Sequence, residues 1–184
     1  MIAVDSNVLI DFIGNDSAAA DAADEALRRA LGSGPVVACD IVVAELVTGL
    51  GQGSAVIDAL EELGIEFLPL ELRSAVRAGE MQRRYRERRA TAVRSKAVVV
   101  EEPLRVVADF LIGAHALLQC QALITRDAGF FRDYFKGLKI IVPEMRPPSS
   151  LALATPRAPS RPPTARQSRF RGGKLGGGQS TSDA

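Results

Sequence analysis

Ile2-Ala3-Val4-Asp5-Ser6-Asn7-Val8-Leu9-Ile10-Asp11 opens the chain and sets the terms for the rest of it. Three apolar residues make a short buried strand, and the acid that ends it stands where the strand gives way to a helix through Val8, Leu9 and Phe12. Short runs rich in Val and Ile recur at 36–38, 65–68, 122–125 and 139–142, separated by segments of helical period. Strands alternating with helices predict βαβ units and an α/β fold: an open sandwich with a five-stranded parallel sheet flanked by helices.

The helical segments have readable ends. Ser17 is a good N-cap for an Ala-rich helix that Gly32-Ser33-Gly34-Pro35 stops near Leu31, and Asp40 can cap a helix carrying Ile41, Ala44, Glu45 and Leu46 that ends between Gly49 and Gly53. Another helix spans 54–63. A long one runs from Leu72 into a basic stretch, and a buried one carries Leu104, Val107, Leu111, Ala114 and Leu118 at i, i+3, i+4 spacing. A short helix over 128–135 completes the set.

The chain has 184 residues, 47% hydrophobic and 24% charged, which suits one globular core and excludes a fibrous or wholly disordered protein. Its net charge of +1 conceals a division. Of 23 Lys or Arg and 22 Asp or Glu, residues 147–184 hold six and one, leaving 17 and 21 in residues 1–146. The expected organisation is an acidic domain over 1–146 and a basic tail over 147–184. With six prolines and five glycines, that tail has too little apolar surface to offset chain entropy.

No apolar run approaches the ~18 residues of a membrane span, and Asp5 follows three apolar residues where a signal peptide would continue apolar, so a cytoplasmic protein with no membrane association is expected. Cys39 and Cys120 form no CxxC or Cys/His cluster, which argues against structural zinc and for two buried free thiols.

In an open parallel sheet ligands bind beyond the carboxyl ends of the strands. Asp5 ends the first strand and Asp127 follows the fourth (Leu123-Ile124-Thr125-Arg126-Asp127), so both face that edge. Asp109 lies at the start of a mostly apolar helix, with Gly113 and Ala116 expected to leave room beside it, and Glu45 interrupts the run Ile41-Val42-Val43-Ala44-Glu45-Leu46-Val47. A lone carboxylate in such surroundings costs several kcal/mol. Converging acids without basic partners either stay protonated or bind a hard divalent cation through oxygen. Nearby bases are few: Arg105 precedes Asp109 by four, and Arg126 adjoins Asp127.

Four strings together, Asp5-Ser6-Asn7-Val8-Leu9-Ile10-Asp11, Ala44-Glu45-Leu46, Asp109-Phe110-Leu111-Ile112-Gly113-Ala114 and Thr125-Arg126-Asp127-Ala128-Gly129-Phe130, resemble the PIN domain, in particular the VapC-type toxins of prokaryotic toxin-antitoxin pairs. The resemblance spans residues 1 to about 143. It implies a PIN-like five-stranded sheet, a Mg²⁺ or Mn²⁺ site, endoribonuclease activity on RNA and inhibition by a small cognate antitoxin protein. It also implies that Asp5, Glu45, Asp109 and Asp127 are the catalytic and metal-binding quartet, with Ser6, Asn7 and Thr125 as polar neighbours. Two features depart from the family's pattern: the long basic segment 83–102 ahead of Asp109, and the tail.

Carboxylate-held Mg²⁺ can activate water and stabilise a leaving oxygen without a histidine. The single histidine, His115, lies in the apolar stretch Gly113-Ala114-His115-Ala116-Leu117-Leu118 and reads as a satisfied helix residue, so a two-histidine ribonuclease mechanism is closed. Asp11 reads as a helix-surface acid. Residues 73–96 hold nine Lys or Arg against Glu80 and Glu87, and Arg83, Arg84 and Arg86 join Asn7 and Thr125 as candidate RNA-binding residues, with Tyr85 available to stack on a base. The apolar helices at 41–63 point to a homodimer. Among rivals, a receiver domain needs a lysine closing a late strand, whereas Lys139 opens one, and a haloacid dehalogenase-type phosphatase needs an acid where Asn7 stands. A catalytically silent PIN-like module that binds RNA or protein remains as the alternative.

Overall fold

The computed structural model describes residues 1–14, 18–94 and 105–145, with backbone alone at 92–94. Within them the order is β1 (Ile2–Val4), α1 (Ser6–Gly14), α2 (Ala18–Ser33), β2 (Val36–Ala38), α3 (Asp40–Leu50), α4 (Gly53–Leu63), β3 (Ile65–Phe67), α5 (Leu72–Arg94), α6 (Val107–Gln119), β4 (Ala122–Ile124), α7 (Ala128–Tyr134) and β5 (Lys139–Ile141). No helix among the described residues is long and apolar enough to cross a membrane. The expected tail over 147–184, Ser17 as a cap and the 95–102 part of the basic segment lie outside the described residues.

The five strands form one parallel sheet in the order β3-β2-β1-β4-β5, as the alternation of strand and helix predicts. β2 and β4 are buried at every position because helices cover the sheet, which explains why their residues are uniformly apolar instead of alternating. In register, Ala3 of β1 stands opposite Val37 on one side and Leu123 on the other. The chain first adds strands on one side of β1 and then returns to add β4 and β5 on the other. That reversal makes the β1/β4 boundary the topological switch point, the place where open parallel sheets take their ligands.

Helices on either side of this boundary are fixed by different means. α3 stops at Gly51, whose φ of +79° is the left-handed conformation that glycine adopts most readily, and its N–H donates to the Val47 carbonyl. Asp40 is no N-cap: Cys39 takes that position without a side-chain bond, and Asp40 accepts from the Leu70 N–H at 2.7 Å, tying α3 to the segment after β3. α5 buries Ala78, Met81 and Tyr85 and packs on α6. Tyr85, Phe110, Phe130, Phe131, Tyr134 and Phe135 then link α5, α6 and α7 in one aromatic cluster, mostly edge-on, with centroids 5.0 to 6.4 Å apart where rings meet. Each such pair adds about 0.5–1.5 kcal/mol beyond burial.

Two sequence expectations fail here. Tyr85 is only 5% exposed and is committed to this cluster, so it offers no face to a base. Gly113 clears space for a ring and not for Asp109: a Cβ there would stand 2.4 Å from Phe135 Cε2. Of the cysteines, Cys39 is buried but Cys120 only half-buried, and both are free.

Candidate active site

The switch point brings Asp5 and the β4–α7 turn together. The Asp5 N–H donates to the Ile124 carbonyl at 3.0 Å, extending the β1/β4 ladder by one bond and fixing where its carboxylate begins. The carboxylate is 5% exposed and is gripped from two elements. Its Oδ2 accepts from Thr125 Oγ1 at 2.6 Å and Asn7 Nδ2 at 2.7 Å, and Ser6 Oγ lies 3.4 Å from Oδ1. Thr125 is wholly buried, and its hydroxyl also accepts from the Asp127 N–H at 3.0 Å, while Asn7 Oδ1 accepts from the Arg126 N–H at 3.3 Å. Ser6, Asn7 and Thr125, the polar neighbours that the family resemblance implies, all stand within hydrogen-bond reach of the Asp5 carboxylate.

Glu45 comes from the middle of α3, half-buried, and its Oε2 accepts from Ser6 Oγ at 2.5 Å. Ser6 therefore bridges the two carboxylates of this half of the site. None of the donors on Asp5 carries a positive charge. Burial accordingly pushes the Asp5 carboxyl up to about 6, with the Glu45 and Asp109 charges adding to the rise and the Thr125 hydrogen bond opposing it.

Asp109 and Asp127 are treated differently. Asp109 sits in the first turn of α6 and its Oδ2 accepts from the Val106 N–H at 3.2 Å, satisfying one orphan donor of the helix terminus. Arg105 ion-pairs with Asp127 and reaches Asp109 Oδ1 at 3.9 Å. Burial still raises the Asp109 pKa, with Arg105 pulling it down and the Glu45 and Asp127 charges pushing it up. Arg105 is itself seated: its guanidinium lies 4.7 Å over the Phe130 ring, and its backbone N–H donates to Tyr85 Oη at 3.2 Å. Its position four residues before Asp109 was the available signal, but the reach to Asp127 is tertiary. Arg126, the sequence neighbour of Asp127, instead pairs with Asp11 at 2.9 Å, so Asp11 is a bound acid and no free surface one.

As placed, no three His, Cys, Asp or Glu side chains among the described residues converge on one point as a metal cage would. Asp109 is turned to Val106 and Arg105, and Asp127 to Arg105. The donor set nonetheless suits a hard divalent ion. All four groups are carboxylates, the oxygen ligands Mg²⁺ and Mn²⁺ prefer, and the Glu45 charge lies near enough to raise the proton affinity of both Asp5 and Asp109.

The basic candidates all fall on α5. Arg83 is exposed and pairs with Glu87 at 3.4 Å, Arg84 is exposed beside Met81 Sδ at 4.0 Å, and Arg86 is exposed. His115 is buried, bonds the Leu68 backbone through its ring, and leaves Nε2 without a partner among the described residues, so it is half satisfied. It lies in the body of α6, six residues beyond Asp109.

The PIN domain model matches residues 2–136. No curated protein matches the sequence. Among solved structures, the chain resembles one from VapBC2 of Rickettsia felis bound to a promoter DNA fragment, with 17% identity, a TM-score of 0.52, and coverage of 77% of this chain and 98% of that one. A toxin-antitoxin complex from Klebsiella pneumoniae gives 18%, 0.51, 79% and 100%, and FitAB bound to the IR36 DNA fragment gives 19%, 0.50, 78% and 95%. At these identities the likeness is one of fold. The matched segment contains all four carboxylates and the first four strands of the sheet, and by that match the chain belongs to the PIN-domain family.

Proposed function

We propose that the protein is a metal-dependent endoribonuclease that hydrolyses RNA phosphodiesters, acting in the cytoplasm as the toxin of a type II toxin-antitoxin pair. The observation that carries this reading is Asp5: a carboxylate 5% exposed at the switch point, beside Glu45 and Asp109, oriented by neutral donors and left without a cation of its own. Such an arrangement is costly unless a cation completes it. Membership of the PIN family and structural likeness to components of toxin-antitoxin complexes support the biological setting.

Asp5, Glu45 and Asp109 would hold Mg²⁺ or Mn²⁺ directly or through water, with Asp127 completing that site or serving a second. The ion supplies Lewis acidity for activating water and for stabilising the leaving oxygen. The chain's own residues supply orientation. Thr125 and Asn7 fix Asp5 Oδ2, Ser6 ties Glu45 to the same cluster, and Arg105 holds Asp127 while neutralising charge that substrate phosphate would otherwise meet. Arg83, Arg84 and Arg86 would offset phosphate charge from α5.

The partners proposed are a small cognate antitoxin, with an Arg or Lys reaching the carboxylates, and a second copy of the chain. Exposed Leu50, Ile57 and Phe67, on α3, α4 and the edge strand β3, supply apolar surface for such contacts. A monomer by light scattering at micromolar concentration refutes the dimer. The silent-module alternative draws on one observation, that Arg105 rather than convergence accounts for Asp127. Cleavage of RNA by the purified chain decides between them. The nuclease needs Mg²⁺ or Mn²⁺ and stops in EDTA, whereas undiminished cleavage in EDTA rules out the mechanism and no cleavage with either metal favours the silent module.

A further inference from the structure

Two arginines seated on aromatic rings mark a line leading away from the carboxylates. Arg105 lies 4.7 Å over Phe130, the Phe130 and Tyr134 centroids are 5.3 Å apart, and Arg88 lies 5.4 Å over Tyr134. Beside Tyr134 is a hollow of about 180 Å³ between α5 and the end of α7. Arg77, Arg84 and Arg88 line one wall, Asp133 and Lys136 line the other, and Met81 lies between. The spacing 77, 81, 84, 88 places the α5 residues on one helix face.

The charges in this hollow are unbalanced. Arg77 pairs with Glu80 at 3.3 Å, but among the described residues no carboxylate stands within ion-pair distance of Arg84, Arg88 or Lys136. Asp133 is the one acid in the lining. Gathering three uncompensated cations around one concavity costs self-repulsion, which a bound polyanion relieves. The Tyr134 ring restricts Arg88, so less side-chain freedom is lost when that guanidinium meets a phosphate.

We infer that this hollow is a phosphate site for the RNA strand, separated from the carboxylates by the Phe130–Tyr134 stack, so that the strand runs from Asp127 and Arg105 along α5 to Arg88, Arg84 and Lys136. The inference rests on the ribonuclease reading above and deepens it. A groove of cations that tracks the backbone is how single strands are held without sequence preference. Arg83 pairs with Glu87 and does not line this hollow.

The test is binding of a short fluorescent single-stranded RNA to the full chain carrying Asp5→Asn, measured by anisotropy across a salt series. Arg84→Ala, Arg88→Ala and Lys136→Ala, added together, are expected to weaken binding by about tenfold and to reduce the magnitude of the log–log salt slope by about two, since each lost phosphate contact on a single strand removes ~0.7. Arg28→Ala on α2, where Arg28 pairs with Asp24, serves as a control expected to change neither. Thermal melts check that the exposed substitutions leave the fold intact. Equal affinity and slope in the triple variant overturn the site while leaving the ribonuclease reading standing. Absence of RNA binding by the Asp5→Asn chain itself overturns both. Tighter binding of duplex DNA than of RNA, lost in the same triple variant, overturns the assignment to an RNA strand.

Discussion

Asp5 and Asp127 stand at the ends of neighbouring strands of one sheet, yet their surroundings differ in kind. Asp5 is 5% exposed and meets only hydroxyl and amide donors, whereas Asp127 is half-buried and paired with Arg105. Neutral donors orient a carboxylate without cancelling its charge, while a guanidinium does both. The Asp5 half therefore keeps an unmet demand for a cation, and the Asp127 half has it met from within the chain. Asp109 lies between the two, sharing Arg105 but feeling the charges of Glu45 and Asp127.

The largest expected effect lies in the unmet half. Asp5→Asn, Glu45→Gln and Asp109→Asn should each abolish RNA cleavage with the fold intact, whereas Asp127→Asn, at a carboxylate that Arg105 already holds, should lower it by only about tenfold to a hundredfold. Cleavage assays alongside thermal melts read both. Full activity in any of the first three removes that residue from the site, and equal loss at Asp127 erases the proposed difference between the halves.

Stability gives the next effect. The Asp5 carboxyl titrates near 6 in the folded chain against 3.8 ordinarily, so the folded state holds its proton more tightly than the unfolded state does. Stability due to this group is then greatest below about 4 and falls as pH rises through 6. Asp5→Asn removes that loss. The metal-free variant should match the parent near pH 4 and exceed it by about 1–3 kcal/mol above pH 7, as denaturant melts across pH would show. A difference independent of pH would contradict the assigned cause.

Thr125→Val deletes the 2.6 Å donor to Asp5 and should cost about 1–2 kcal/mol, raise the Asp5 pKa further and reduce cleavage. Retained activity with lost stability would make Thr125 a fold residue only. The smallest effect is expected at Arg105→Gln, because a half-exposed ion pair is worth about 0–1 kcal/mol. Calorimetry should nevertheless show Mn²⁺ binding tightened a few-fold in the variant, since Arg105 then no longer competes for Asp109 and Asp127. Weaker Mn²⁺ binding would mean that Arg105 organises the ligands instead.

Strand and helix periods made the sheet, its parallel sense and its flanking helices legible, because each is written in local residue order. Asp5 and Asp127 were placeable for the same reason: Asp5 follows β1 directly and Asp127 stands three residues beyond the end of β4. Asp40 was misjudged because a capping residue and a first-turn acid are one position apart, and a contact to Leu70 chose between them. Tyr85 and Gly113 were misjudged because burial in the aromatic cluster is a property of three helices packed together. Arg105 was visible only as a neighbour of Asp109, since its bond to Asp127 spans the β4 crossover.

Titration of Mn²⁺ into the metal-free full chain, read by calorimetry and by melting temperature on the parent and on Asp5→Asn, tests the central claim that these carboxylates are assembled for a cation. Saturable binding that raises the melting temperature of the parent and is lost in Asp5→Asn is the expected result. Failure of the parent to bind Mn²⁺, or equal binding by Asp5→Asn, would contradict it.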